Sequence, residues 1–290
     1  MQVLLRRSSV IAIALLISLA ITAVGQGLWG VMAIANVRLT PDLPWAALVM
    51  PFILLALAAF LAGRGWPSWG AAGRRALVPL APVSAEAWTW SLASGVAGVI
   101  ALAALWTVMG QLVRVAPNAL PDTRGVPAQT ASALLLVAIV AAPLTEEIAF
   151  RGYAMGLLRR QFGPIAALVI SSVMFAAAHL TQGLYATKLI VYFLVGLGLA
   201  AAVWRTGSLL PAMVVHAFGD FTFFTLVWPH DAGRRLVSEG GADAWFFANL
   251  AMVAVFSVLW FFTFRQLLRV TRKDLPGDQP PATKGSLAPA

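Results

Sequence analysis

The sequence predicts an all-α protein, a polytopic transmembrane bundle of about eight helical spans. Three observations carry that prediction: the apolar fraction, the spacing of the apolar runs, and the distribution of basic residues among the gaps. Of 290 residues 60% are hydrophobic and 11% charged, more apolar surface than a core of this size can hide from water, so the solvent is a bilayer. A helical crossing takes about 20 apolar residues, which leaves room for roughly seven to nine crossings with short loops and no second, soluble domain. Residues 1–270 therefore read as a single transmembrane domain, and 271–290, rich in Pro, Gly and Ala without periodicity, as a disordered cytoplasmic tail.

The first run follows Arg6 and Arg7 and covers about 9–36. Its start is like a signal peptide, but its length marks an uncleaved first span. The second lies at 44–63. The next stretch, 65–87, contains Trp66, Pro67, Trp69, Pro79 and Pro82, too broken to span, and is expected as an interfacial loop with an aromatic anchor. Further runs fall at 88–113, 131–145, 164–180, 189–204, 209–227 and 245–264.

Eight crossings put both termini on one side. That side collects Arg6, Arg7, Arg64, Arg74, Arg75, Arg159, Arg160, Arg205, Arg265, Arg269, Arg272, Lys273 and Lys284, against Arg38, Arg114, Arg124, Lys188, Arg234 and Arg235 on the other. Retention of positive charge in the cytoplasm makes both termini cytoplasmic. Scattered through loops in this way, the net charge of +9 forms no nucleic-acid-binding face. The absence of cysteine excludes disulfides, thiolate metal sites and a cysteine nucleophile. The Ala- and Arg-rich composition points to a bacterium, hence to its inner membrane.

Ionisable residues at membrane depth are costly and default to function. Five stand out: Glu146, Glu147, His179, His216 and Asp220. Consecutive helical residues point about 100° apart, so Glu146 and Glu147 have different tasks. Arg151, four residues after Glu147, shares its helix face and can neutralise it as a structural ion pair. Glu146 is left without such a partner, and Pro143 upstream can kink the helix beside it. Phe175 and His179 are one turn apart on one face, with alanines between that permit close approach. His216 and Asp220 are again four apart, on a span otherwise built of Leu, Val, Met and Phe. His230, beyond Pro229, is expected in solvent.

These pieces, Glu146-Glu147 with Arg151, Phe175 with His179, and His216 with Asp220, resemble the three motifs of the CAAX protease and bacteriocin-processing (Abi) family, which includes the type II CAAX prenyl endopeptidases. The resemblance covers about 141–226. It implies an eight-span fold with a cavity open to cytoplasm and membrane, and an intramembrane endopeptidase that needs no metal or cofactor. It further implies that Glu146 is the base that activates water, that His179 helps to hold that water, and that His216 and Asp220 face the scissile carbonyl, with Phe175 lining the site. The implied substrate is a peptide or protein, lipidated in the prenyl endopeptidase branch. Those endopeptidases resemble one another in having asparagine where this chain has Asp220. An ionised aspartate only accepts hydrogen bonds, so Asp220 is expected to orient His216 through that ring's other nitrogen.

Two alternatives stay open. Glu146, His179, His216 and Asp220 are also a conceivable zinc set, without an HExxH helix to support it. A non-enzymatic bacteriocin-immunity or transport protein would use the same residues as a binding site or proton relay, though no internal repeat is visible.

Overall fold

The computed structural model describes residues 2–116, 118 and 124–271, with side chains from Arg7 onward. The tail expected at 271–290 lies, Thr271 apart, outside the described residues.

Lipid offers no hydrogen-bond partners, so an apolar span must satisfy its backbone internally, and the described chain is helical almost throughout. In order, the helices are α1 (Gln2–Leu39), α2 (Trp45–Leu61), α3 (Ala71–Leu77), α4 (Ala85–Leu112) and α5 (Ala128–Glu146). A π-helical turn, Glu147–Ala154, joins α5 to α6 (Met155–Phe162). Then come α7 (Pro164–Ala178) with a 3₁₀ turn at His179–Gln182, α8 (Ala186–Thr206), and α9 (Leu210–Thr222). A π turn (Phe223–Val227) and a 3₁₀ turn (Trp228–Gly233) extend α9, and α10 (Val237–Gly240) and α11 (Ala244–Val270) complete the described chain.

Seven of these segments are long and apolar enough to cross a membrane, and α2, with 17 residues, is the shorter eighth. The bundle is all-α, as the sequence predicts.

The central segment runs uninterrupted from Ala128 to Phe162, well beyond the expected 131–145. The chain continues helically through Glu146, Glu147 and Arg151 because all three are buried against other helices instead of ending at an interface. Charge therefore does not terminate this helix. The broken stretch after α2 also differs in detail: it holds α3, and its last three residues belong to α4, which Ser84 caps by accepting a bond from Ala87 N–H at 3.2 Å. Arg74 ties α3 down, donating to the carbonyls of Phe60 (2.7 Å), Pro67 (2.9 Å) and Trp69 while its guanidinium covers the Phe60 ring at 4.2 Å. Trp66 and Trp69 are exposed, as an interfacial anchor requires.

Close helix approach builds the core around the central segment. Gly25 of α1 lies so near Thr145 that a Cβ would sit 2.3 Å from the threonine methyl, and Gly95 of α4 bears the same relation to Val215 of α9, at 2.2 Å. These two contacts flank Glu146 and His216. From α1, Ser18 Oγ donates to Ala149 O at 3.0 Å and so satisfies a carbonyl inside the π turn.

Candidate functional site

A π turn admits an extra residue into a helix and locally rotates the faces that follow. Here it begins at the second of the paired glutamates, one turn after Pro143, which can donate no backbone hydrogen bond. The two carboxylates part company at this point. Glu147 is fully buried, and its Oε1 accepts from Arg151 Nη1 at 2.9 Å and from His216 Nδ1 at 2.8 Å. Arg151 is nearly as buried, with its guanidinium 4.2 Å from the centre of the Phe175 ring and Nη2 directed to Gly196 O at 3.4 Å. Glu146 instead lines a cavity of about 540 Å³, together with Gln26, His179, Tyr192, His216 and Asp220. Neither Glu147 nor Arg151 reaches that cavity's wall.

His216 bridges the two carboxylates. With Nδ1–H donated to Glu147, its Nε2 faces the cavity, 3.7 Å from Glu146 Oε2 and 3.7 Å from Asp220 Oδ1. Those separations exceed a direct hydrogen bond and suit a shared intervening group such as water. The orienting partner of His216 is thus Glu147. The expectation that Asp220 fills that role is corrected: Asp220, four residues along the same helix, stands beside the outward nitrogen, on the cavity side.

His179 opens the 3₁₀ turn after α7, with Nδ1 2.8 Å from Phe175 O. A ring nitrogen donating to a carbonyl fixes the tautomer and leaves Nε2 as the free acceptor. The ring is sandwiched, stacked on Tyr192 at 4.0 Å and 23° and tilted against Phe175 at 4.7 Å. Phe175 also meets His216 edge-on at 5.9 Å, so one aromatic ring touches both imidazoles and the guanidinium. All seven residues singled out in the sequence therefore gather here, five on the cavity wall and two, Glu147 and Arg151, behind it. His230 is exposed and apart from them.

Sequence reasoning missed Gln26 and Tyr192. Gln26 Nε2 donates to Glu146 Oε1 at 2.6 Å, which leaves Oε2 turned toward His216. An amide midway along the apolar run of α1 was the available signal. Tyr192 carried no signal, since an aromatic residue in an apolar span is ordinarily packing. Among the described residues, no group of three or more His, Asp or Glu side chains is arranged to hold a metal ion.

The family model of the Rce1-like type II CAAX prenyl endopeptidases matches residues 128–222. That stretch, roughly a third of the chain, contains every site residue above except Gln26. No curated protein and no solved structure matches the chain. Seven long apolar helices and the family match together make this an integral membrane protein with a region like a CAAX endopeptidase.

Proposed function

We propose that the protein is an intramembrane endopeptidase in which Glu146 activates water, with His179 and His216 assisting and without a metal ion. The observation that carries this reading is the division between the adjacent carboxylates: Glu147 is enclosed by Arg151 and His216, whereas Glu146 faces a cavity that two imidazoles share.

In this mechanism a water lies against Glu146 Oε2 and the free acceptor of His179. Glu146 takes one proton as the oxygen attacks the scissile carbonyl carbon, forming the C–O bond. The carbonyl oxygen becomes an oxyanion, and the cavity-facing nitrogen of protonated His216 donates to it. Glu146 then passes its proton to the amide nitrogen as the C–N bond breaks, which releases an amine and a carboxylic acid, and the acid's remaining proton moves to the amine to leave a carboxylate and an ammonium. Asp220, beside His216 Nε2, holds the charge of that imidazolium near the reacting carbonyl. Gln26 fixes the rotamer of Glu146, Phe175 spaces the two imidazoles, and Glu147 with Arg151 holds the frame.

The substrate is a peptide or protein reached through the bilayer, and the family match extends the proposal to lipidated substrates. The apolar side of the cavity, with Leu102, Val195, Phe223, Trp260 and Phe264, is compatible with a hydrocarbon chain beside the peptide. The proposed location is a bacterial inner membrane, with both termini cytoplasmic as the basic loops favour.

The test is comparative. Purified wild-type protein and Glu146→Gln are incubated with a set of prenylated and unmodified peptides, and products are identified by mass spectrometry. Cleavage by wild type alone supports the reading. Equal cleavage by both rules out Glu146 as the base.

A further inference from the structure

A relay of polar side chains runs behind His179 and ends on the wall of the Glu146 cavity. Its first member sets its direction. Lys188 is an ammonium, which gives protons and accepts none, and its charge is supported by the Tyr185 ring, 5.3 Å from Nζ, and by Asp231, which lines the same small cavity. It donates to Asn118 Oδ1. That fixes the Asn118 amide and turns its Nδ2 to the Tyr192 hydroxyl, at 3.2 Å. The hydroxyl, accepting there, directs its own proton to Gln182 Oε1. Each link runs one way, so the far end is fixed as well. Gln182 presents its oxygen to Tyr192 and is left with Nε2, a group that only donates.

Gln182 is held at two points. Besides the bond from Tyr192, its main-chain carbonyl accepts from Lys188 Nζ at 3.1 Å. Both bonds come from α8 and hold the end of the His179–Gln182 turn, whose first residue stacks on the Tyr192 ring. Tyr192 thus grips one end of the turn with its ring face and the other with its hydroxyl. An amide fixed in this way loses little freedom when a ligand arrives. Its Nε2 has no hydrogen-bond partner among the described residues, and Gln182 lines the same cavity as Glu146, His179 and His216.

The ligand follows from the chemistry of that wall. A peptide entering the cavity brings main-chain carbonyls that lose their water and need donors. The Leu, Val and Phe side chains of the wall supply none. In the proposed mechanism His216 serves the scissile carbonyl, so a neighbouring carbonyl needs a donor of its own. The Gln182 amide stands just past the hydroxyl of the ring on which His179 stacks.

We infer that Gln182 is a substrate-binding residue: its Nε2 donates to a main-chain carbonyl of the bound peptide beside the scissile one, in an orientation set by Lys188, Asn118 and Tyr192. This rests on the peptidase reading for its ligand, but its binding test does not require cleavage.

The probe is N-acetyl-Ala-Leu-Ala-Leu amide, with analogues in which one peptide bond at a time is a trans-alkene, which keeps the extended shape and removes the carbonyl. Binding to full-length Glu146→Gln in detergent micelles, which leaves the probe uncut, is followed by thermal shift across a concentration series. The cycle compares that protein with the same protein carrying Gln182→Met. At one position the alkene should weaken binding about five-fold more when Gln182 is present than when it is replaced, the scale of one neutral hydrogen bond. A general loss of fold in Gln182→Met would weaken all the probes alike and leave no such difference. Should Gln182→Met not fold, Gln182→Glu, which still accepts from Tyr192 and lacks the donor, takes its place. Tyr192→Phe keeps the ring on His179 and releases the amide, and should shrink the difference to about two-fold or less. Equal losses at every position with and without Gln182, or no binding of the parent peptide, overturn the donor. An undiminished difference in Tyr192→Phe overturns the relay that orients it. Absence of Glu146-dependent cleavage would instead strike the peptidase reading, with the Gln182 difference still measurable.

Discussion

Glu146 and Glu147 are neighbours in the chain and opposites in the structure. On the sealed side of the π turn, Glu147, Arg151 and His216 Nδ1 form a network without access to the cavity, and on the open side Glu146 and Asp220 flank His216 Nε2 at equal distance. One imidazole thus has one nitrogen in each region. The difference teaches that a polar cluster within a membrane protein needs a part that holds and a part that reacts, and that a local change in helical pitch is enough to separate them.

The comparison breaks most visibly on the sealed side. Glu147→Ala leaves Arg151 buried without its counter-ion and His216 without its acceptor, and breaking a buried pair in this way is worth about 3–5 kcal/mol. Arg151→Ala should do the same. The expected outcome for both is a large fall in folded yield and in the thermal midpoint of detergent-purified protein. A wild-type melting curve for either variant would show that the network holds nothing.

A smaller effect is expected where α1 approaches the site. Gly25→Val puts side-chain atoms where Thr145 already sits, and overpacking of this kind costs about 1–3 kcal/mol. Because the displaced helix also carries Gln26, cleavage should fall along with the thermal midpoint. Gln26→Leu is more selective: it removes the 2.6 Å bond to Glu146, worth about 1.5–3 kcal/mol for a charged acceptor. Its rate should fall about ten-fold or more, with the fold intact. The smallest effect expected is none. Treating the purified protein with a metal chelator should leave its cleavage rate unchanged, whereas a lasting loss restored by zinc would assign the same side chains to a metal.

The sequence and the structure agree where spacing alone decides geometry. Residues three or four apart on a helix must meet, so Glu147 with Arg151, Phe175 with His179, and His216 with Asp220 were legible as local pairs. Helix positions were legible for a similar reason, since lipid exposure writes itself into composition, and α11 leaves most of its apolar side chains exposed while Trp260 and Phe264 face the cavity. What spacing does not encode is which pairs find one another. The bond from His216 to Glu147 spans 69 residues, and that from Gln26 to Glu146 spans 120. Neither has a periodic trace. The π turn was hidden as well, because its sequence is that of an ordinary helix, and burial of charge carried the central segment past the point where polarity alone would end it.

The most direct test of the account is the rate at which purified Glu146→Gln cleaves a peptide that the wild type cleaves, measured alongside the thermal midpoints of both. A loss on the order of 10²–10⁴-fold, the usual contribution of a general base, with an unchanged midpoint is the predicted result. Full-rate cleavage by Glu146→Gln, or a loss that merely follows unfolding, would contradict it.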